Sequence, residues 1–264
     1  MTWERVTLYK KDALRLWAHE TRGHMGAAAA RDIAEEMRRQ LEEKDEINMI
    51  FAAAPSQNET LAALVKEDVD WTRVNAFHMD EYVGLEPGAP QSFGTYLREH
   101  IFALVPFRSV NLIDPSNDAE AEIERYSALL KTHPVDITVL GIGENGHIAF
   151  NDPGVADFAD PALVKAVPLD EVCRMQQVHD GCFPDIAAVP THALTLTVPA
   201  LTKAAAMFCS VPAPTKAEAV WRTMTEDIAE NCPATVMRRH SHAVMYCDRD
   251  SARLLAEGFG SSKK

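Results

Sequence analysis

The chain has 264 residues, of which 26 are basic and 39 acidic, and the resulting net charge of −13 argues against a nucleic-acid binder or a protein that adheres to anionic membranes. Hydrophobic residues at 47% and charged residues at 25% are ordinary for a soluble globular protein, and the length suits one large α/β domain or two small ones. Met1–Arg5 shows no basic leader with an apolar core, no apolar run approaches the ~20 residues of a membrane helix, and the five cysteines form no CxxC pair; a cytoplasmic protein with reduced thiols is expected.

Taken in chain order, Ala13–Leu41 carries apolar positions three and four apart and is predicted to form one or two amphipathic helices. Ile47–Ala54 reads as a buried strand, Pro55–Asn58 as a turn, and Glu59–Lys66 as a helix. Val74–Met79 is a predicted strand, Gly94–Leu104 a helix, Ser109–Ile113 a strand and Asp118–Leu130 a helix. Val135–Leu140 is a further strand that breaks into a glycine-rich segment. Strands follow at Ala193–Thr197 and Ala206–Ser210, then a helix over Thr215–Thr223 and a strand at Ala243–Cys247. Short apolar strands alternating with helices predict a doubly wound, mainly parallel sheet with helices on both faces, a Rossmann-like three-layer α/β sandwich. Residues 1–257 read as a single domain of this kind, with 258–264 as a frayed tail.

Four segments at or just beyond predicted strand ends carry polar residues that a core would reject, and ligands of open α/β sheets bind at such ends. Pro55-Ser-Gln-Asn58 runs into a helix start, where free backbone N–H groups favour an anion and Ser56 adds a hydroxyl. Asp80 and Glu81 are adjacent, so on an extended chain only one of them can face a given pocket; a partly desolvated aspartate there makes a competent general base. Gly141-Ile-Gly-Glu-Asn-Gly-His-Ile-Ala-Phe-Asn-Asp-Pro153 presents His147 and Asp152, a histidine that a carboxylate can orient for proton transfer at neutral pH. Lys216 falls in the first turn of a predicted helix, where a cation is misplaced unless it meets an anion. His240-Ser-His242 lacks a carboxylate or cysteine at ligand spacing, so no metal is expected.

Together these segments resemble the glucosamine-6-phosphate deaminase/isomerase family, within the superfamily that includes 6-phosphogluconolactonases. The resemblance runs from about Leu14 to Leu255, and its specific motifs are Met79-Asp-Glu-Tyr-Val-Gly-Leu85 and Gly141–Pro153. The lactonase branch has Asp-Glu-Arg where this chain has Asp80-Glu81-Tyr82. The resemblance implies an amino-sugar phosphate as substrate, ring opening assisted by His147, and proton transfer between C1 and C2 by Asp80. The product would be a ketose phosphate with release of ammonia, and no cofactor would be needed. Asp152 would orient His147 from a position where the family usually has glutamate, and Asn145 stands where familiar members have aspartate.

The phosphate end departs further from that pattern. Ser56-Gln-Asn-Glu59 replaces Thr-Gly-Gly-Thr, which restricts how closely backbone can wrap a phosphate and brings a like charge near it. Gln177 occupies the slot of a phosphate-gripping arginine; Arg174, one helical turn earlier, is expected to reach the same region. Lys216 matches a retained phosphate-binding lysine. The expected anion site is therefore Ser56, Gln57, Asn58, Arg174, Gln177 and Lys216. Two other functions compete with the deaminase/isomerase: a lactone hydrolase in which His147 activates water, and a sugar-phosphate sensor that has lost turnover. Association into a homo-oligomer is left open.

Overall fold

Ile47–Phe51 (β3) and Val74–His78 (β4) are buried at every position, as strands covered on both faces must be. In the computed structural model, which describes residues 7–86, 88–179 and 181–258, these strands lie inside an eight-stranded sheet. Its remaining strands are β1 (Thr7–Lys11), β2 (Leu14–His19), β6 (Ser109–Asn111), β7 (Ile137–Leu140), β10 (Ala206–Val211) and β11 (Ala243–Asp248). The order is β1-β2-β11-β10-β7-β3-β4-β6, and every pair is parallel except β1–β2.

Successive residues of a strand feed opposite layers. Met49 and Phe51 pack into one core with Met25, Ile33 and Met37 of α1 (Arg22–Glu43) and Leu61 of α2 (Asn58–Leu64). Ile50 packs into the other, with Tyr126 of α4 (Ala119–Thr132), Leu201 of α6 (Val198–Thr202) and Val220 of α7 (Ala217–Thr225). The expected α/β sandwich with helices on both faces is the observed one.

Two elements differ from the sequence reading. The stretch from Ala13 does not begin in a helix: Leu14, Leu16 and Ala18 are buried while Arg15 is exposed, so the period is two and β2 pairs with β1. The helix starts only after Thr21, whose side chain accepts the His24 N–H as an N-cap. The strand predicted at Ala193–Thr197 is not in the main sheet either. As β9 (His192–Leu196) it pairs antiparallel with β5 (Asp80–Tyr82) and β8 (Val164–Pro168) in a separate three-stranded sheet.

The predicted helix Gly94–Leu104 is split into α3 (Phe93–Leu97) and a wider π-type turn at Arg98–Phe102. Two helices complete the fold, α5 (Glu171–His179) and α8 (Arg253–Gly258); Gly258 therefore closes a helix, and the rest of the expected tail, 259–264, lies outside the described residues. Among the described residues no helix is long and apolar enough to cross a membrane, and all five cysteines are free thiols.

The chain steps from β3 outward through β4 to β6, then returns to β7 and proceeds the other way through β10 to β11. The connections therefore diverge between β3 and β7, and the crevice beyond the strand ends at such a point is where open α/β sheets take ligands.

Candidate active site

A cleft opens at that point, in the kind of place where small-molecule sites form. It is lined by Ala52–Gln57 beyond β3, Met79 and Asp80 beyond β4, Gly141–Gly143 beyond β7, and Pro212, Ala213, Thr215 and Lys216 beyond β10. Four strand ends thus meet on one cavity. His147, Phe93, Gln176 and Gln177 close it from the loops and short helices above.

Asp80 and Glu81 part company as the strand geometry requires. Asp80 faces the cleft and is 7% exposed; burial, with the Glu81 charge beside it, pushes its carboxyl well above the usual range. Glu81 turns into the protein, where its oxygens accept the backbone N–H groups of Tyr82, Phe93 and Gly94 at 3.0, 3.1 and 2.9 Å. Burial raises Glu81 to about 7 even against those bonds. Its role is to satisfy the start of α3, while His78, 4.0 Å away, is held neutral because burial and Arg98 push it down to about 3.

His147 sits in the loop that leaves β7. Gly143 donates its N–H to the His147 carbonyl at 2.9 Å, and the imidazole ring packs over Gly143: a Cβ there would fall 2.2 to 2.4 Å from its ring atoms. The glycine makes room for the histidine ring. Gly146, at φ +86, supplies the left-handed turn just before it. Nδ1 of His147 lies 2.8 Å from Oδ1 of Asp152, although the oxygen is off the ring's hydrogen-bonding direction. Asn145 links the two, donating from Nδ2 to Asp152 Oδ1 at 2.8 Å and accepting the His147 backbone N–H at 3.0 Å. Burial raises the Asp152 carboxyl, but His147, Asn145 and Cys173 outweigh it and leave it below the usual range. The donor atoms of His147, Asp152 and Cys173 lie within 4.8 Å of one another, a spacing a metal could bridge; Oδ1 of Asp152 accepts the Asn145 amide, while Oδ2 has no hydrogen-bond partner.

Also on the cleft, Ser56 and Gln57 occupy a tight turn over Pro55–Gln57, and Lys216 ends a similar turn over Pro214–Lys216 that leads into α7. Gln57 is buried, donating to Ser56 Oγ at 3.0 Å and to the Ser210 carbonyl at 3.3 Å. Ala213 and Ala149, both on the cleft, hold φ +85 and φ +48, so the backbone is strained where it borders the cavity. Of the anion-site residues expected from sequence, Ser56, Gln57, Gln177 and Lys216 line the cleft.

Asn58 and Arg174 do not. Asn58 accepts the Tyr96 hydroxyl at 2.6 Å, and Arg174 donates to the carbonyls of Ile186 and Val189 at 2.6 and 2.9 Å, bracing that loop instead of reaching the cavity. Glu59 is also not the bare like charge expected: Arg22 pairs with both its oxygens. Arg22 itself lines the cleft and was invisible in the sequence, since nothing local distinguishes it from any other arginine in a helix first turn.

Residues 20–246 match the family model described as glucosamine-6-phosphate isomerases/6-phosphogluconolactonase. The chain belongs to this family. A glucosamine-6-phosphate deaminase of Listeria welshimeri is 37% identical over 212 residues, which cover 80% of this chain and 88% of that protein. One of Streptococcus sanguinis is 31% identical over 206 residues, 78% of this chain and 86% of the relative. Among solved structures, a monomeric glucosamine-6-phosphate deaminase superposes with a TM-score of 0.82 at 28% identity, over 90% of this chain and 99% of its own. A 6-phosphogluconolactonase from Thermotoga maritima superposes at 0.71 over 90% and 100% of the two chains; at 20% identity it speaks for the shared fold.

Proposed function

We propose that this family member is an amino-sugar-phosphate deaminase/isomerase acting on glucosamine 6-phosphate or a close relative. The observation that carries the reading is the pairing of Asp80 and His147 on one cleft, delivered by different strand ends, one buried and proton-hungry and the other backed by Asp152. His147 handles the ring-oxygen proton as the pyranose opens to an aldehyde. Asp80 removes the C2 proton and returns it to C1, so that the enolamine becomes a ketimine at C2. Water then adds to C2 and ammonia leaves, giving the ketose phosphate. Ser56, Gln57, Gln177 and Lys216 line the same cleft and would take the phosphate.

Tyr82 speaks against lactone hydrolysis. It fills the position of the lactonase arginine, yet it is fully buried between Phe93, Phe150 and Phe183, with ring centroids 4.8 to 5.6 Å away. Ammonia release from a panel of hexosamine 6-phosphates, run beside acid release from 6-phosphogluconolactone, tests the proposal. Ammonia with glucosamine 6-phosphate among the active substrates is the expected result. Acid release alone would replace it with the hydrolase, and binding without turnover with a sensor.

A further inference from the structure

We propose that Arg22 is the second cation of the anion site, doing from α1 what Gln177 cannot, and that Glu59 sets its position and its strength. The inference rests on the sugar-phosphate reading of the cleft. Arg22 stands immediately after the N-cap Thr21 and lines the cavity together with Ser56, Gln57, Thr215 and Lys216. Its Nε and Nη2 donate to the two Glu59 oxygens at 3.0 and 2.9 Å, and Nη2 also donates to the Pro55 carbonyl at 3.0 Å. The guanidinium is thereby stapled to the first residue of the turn that carries Ser56. These bonds engage Nε and Nη2; two further N–H groups sit on Nη1, and a planar guanidinium with spare donors is the side chain best suited to phosphate oxygens.

The same arrangement explains how a glutamate is tolerated beside an anion site. Its charge is taken up by Arg22, so Arg22, Glu59 and Lys216 together carry one net positive charge. Backbone packing holds the pair in place. A Cβ on Gly26 would meet Glu59 Cβ at 2.5 Å, its carbonyl carbon at 2.6 Å and Thr60 N at 2.8 Å, so the first turns of α1 and α2 touch with no room between them. Where the family's familiar loop lets glycines wrap the phosphate, this chain offers a guanidinium held by a carboxylate on the loop itself. Glu59 therefore weakens the site that it also orders.

The test uses inorganic phosphate as probe, titrated by calorimetry and as a competitor of glucosamine 6-phosphate turnover. The proteins are the full-length chain and its Arg22→Ala, Arg22→Lys and Glu59→Gln variants, each first shown to melt cooperatively. Arg22→Ala is expected to weaken phosphate binding about tenfold or more and to raise KM by a larger factor than it lowers kcat. Arg22→Lys should recover part of the loss, and Glu59→Gln should bind phosphate more tightly than the parent. Unchanged phosphate affinity in Arg22→Ala, even with a lower melting temperature, would overturn the assignment and leave Arg22 a structural staple. If Arg22→Ala does not fold, Arg22→Gln takes its place, and parental phosphate affinity in that variant overturns it. A parent chain that releases no ammonia yet loses phosphate affinity on Arg22→Ala would sink the deaminase reading while keeping the anion site.

Discussion

Asn145 and Asp152 are bound to each other: the Asn145 amide donates to Asp152 Oδ1 at 2.8 Å while its carbonyl oxygen accepts the His147 N–H at 3.0 Å. Both contacts require the amide in this orientation, and an aspartate at 145 could make only the second. Two expected departures from the familiar family pattern are thus in direct contact. An aspartate paired with His147 needs a donor at 145, whereas a second carboxylate 2.8 Å away could not stay ionised beside it.

It follows that Asn145→Asp alone should lower kcat/KM about tenfold or more, because the two carboxyls would share a proton and His147 would lose its support. Asp152→Glu alone should also lose activity by crowding the Asn145 amide. The combination restores the pairing found in familiar members and should recover more than the two single losses predict. A double-mutant cycle on kcat/KM measures the coupling, and additive losses would show the residues act independently.

Asp80 is held where its charge is costly. A carboxyl whose pKa is raised on folding adds stability below its unfolded value, and that contribution is lost as pH rises through the folded one. Asp80→Asn should therefore melt above the parent at neutral pH, with the gap closing as pH falls toward the ordinary carboxylate range. The same variant should lose about 10² to 10⁴ in kcat, as expected for a general base. The parent's acid limb in kcat/KM should lie higher in pH than an exposed aspartate would place it. Melting curves and rates across pH 4 to 8, roughly the span over which carboxyls of this kind titrate, check all three.

Glu81, one residue along, has the opposite character. Glu81→Ala leaves three buried backbone N–H groups at β5 and the start of α3 without their acceptor. A loss of about 2–4 kcal/mol in urea unfolding is expected, and Glu81→Gln, which keeps one acceptor oxygen, should lose less. The effect should appear in stability far more than in kcat of the folded fraction.

Gly143→Ala tests the histidine's seat. A Cβ would stand 2.2 to 2.4 Å from the imidazole atoms, so the ring must move away from Gly143. The expected outcome is a drop in kcat of about tenfold or more with a smaller change in KM, since the phosphate end of the cleft is untouched. Equal loss in both would mean that the loop as a whole had shifted.

Much of the catalytic end was legible in the sequence because its logic is local. His147, Asn145 and Asp152 lie within one loop, and the alternation of a strand separates the tasks of Asp80 and Glu81 at adjacent positions. The β1–β2 hairpin was hidden because the period-two burial of Leu14, Leu16 and Ala18 runs directly into the three- and four-residue spacing of α1. The second sheet was hidden for another reason: β9 carries ordinary strand residues, and only its partners, β5 and β8, distinguish it from a strand of the main sheet.

The phosphate end shows the limit most clearly. Chain position and the resemblance gave Arg174 and Asn58 to the cleft, yet each is bound elsewhere, by the Ile186 and Val189 carbonyls and by the Tyr96 hydroxyl. Arg22, 37 residues before its partner Glu59, reaches the cavity only because α1 and α2 touch at Gly26. The alternation of strands and helices, and the grouping of Asn145, His147 and Asp152 in one loop, follow from periodicity and short-range spacing, which the chain carries in itself. Which charges line the cleft depends on contacts between distant segments, where one close helix approach brings Arg22 to the cavity while Arg174 is bound elsewhere.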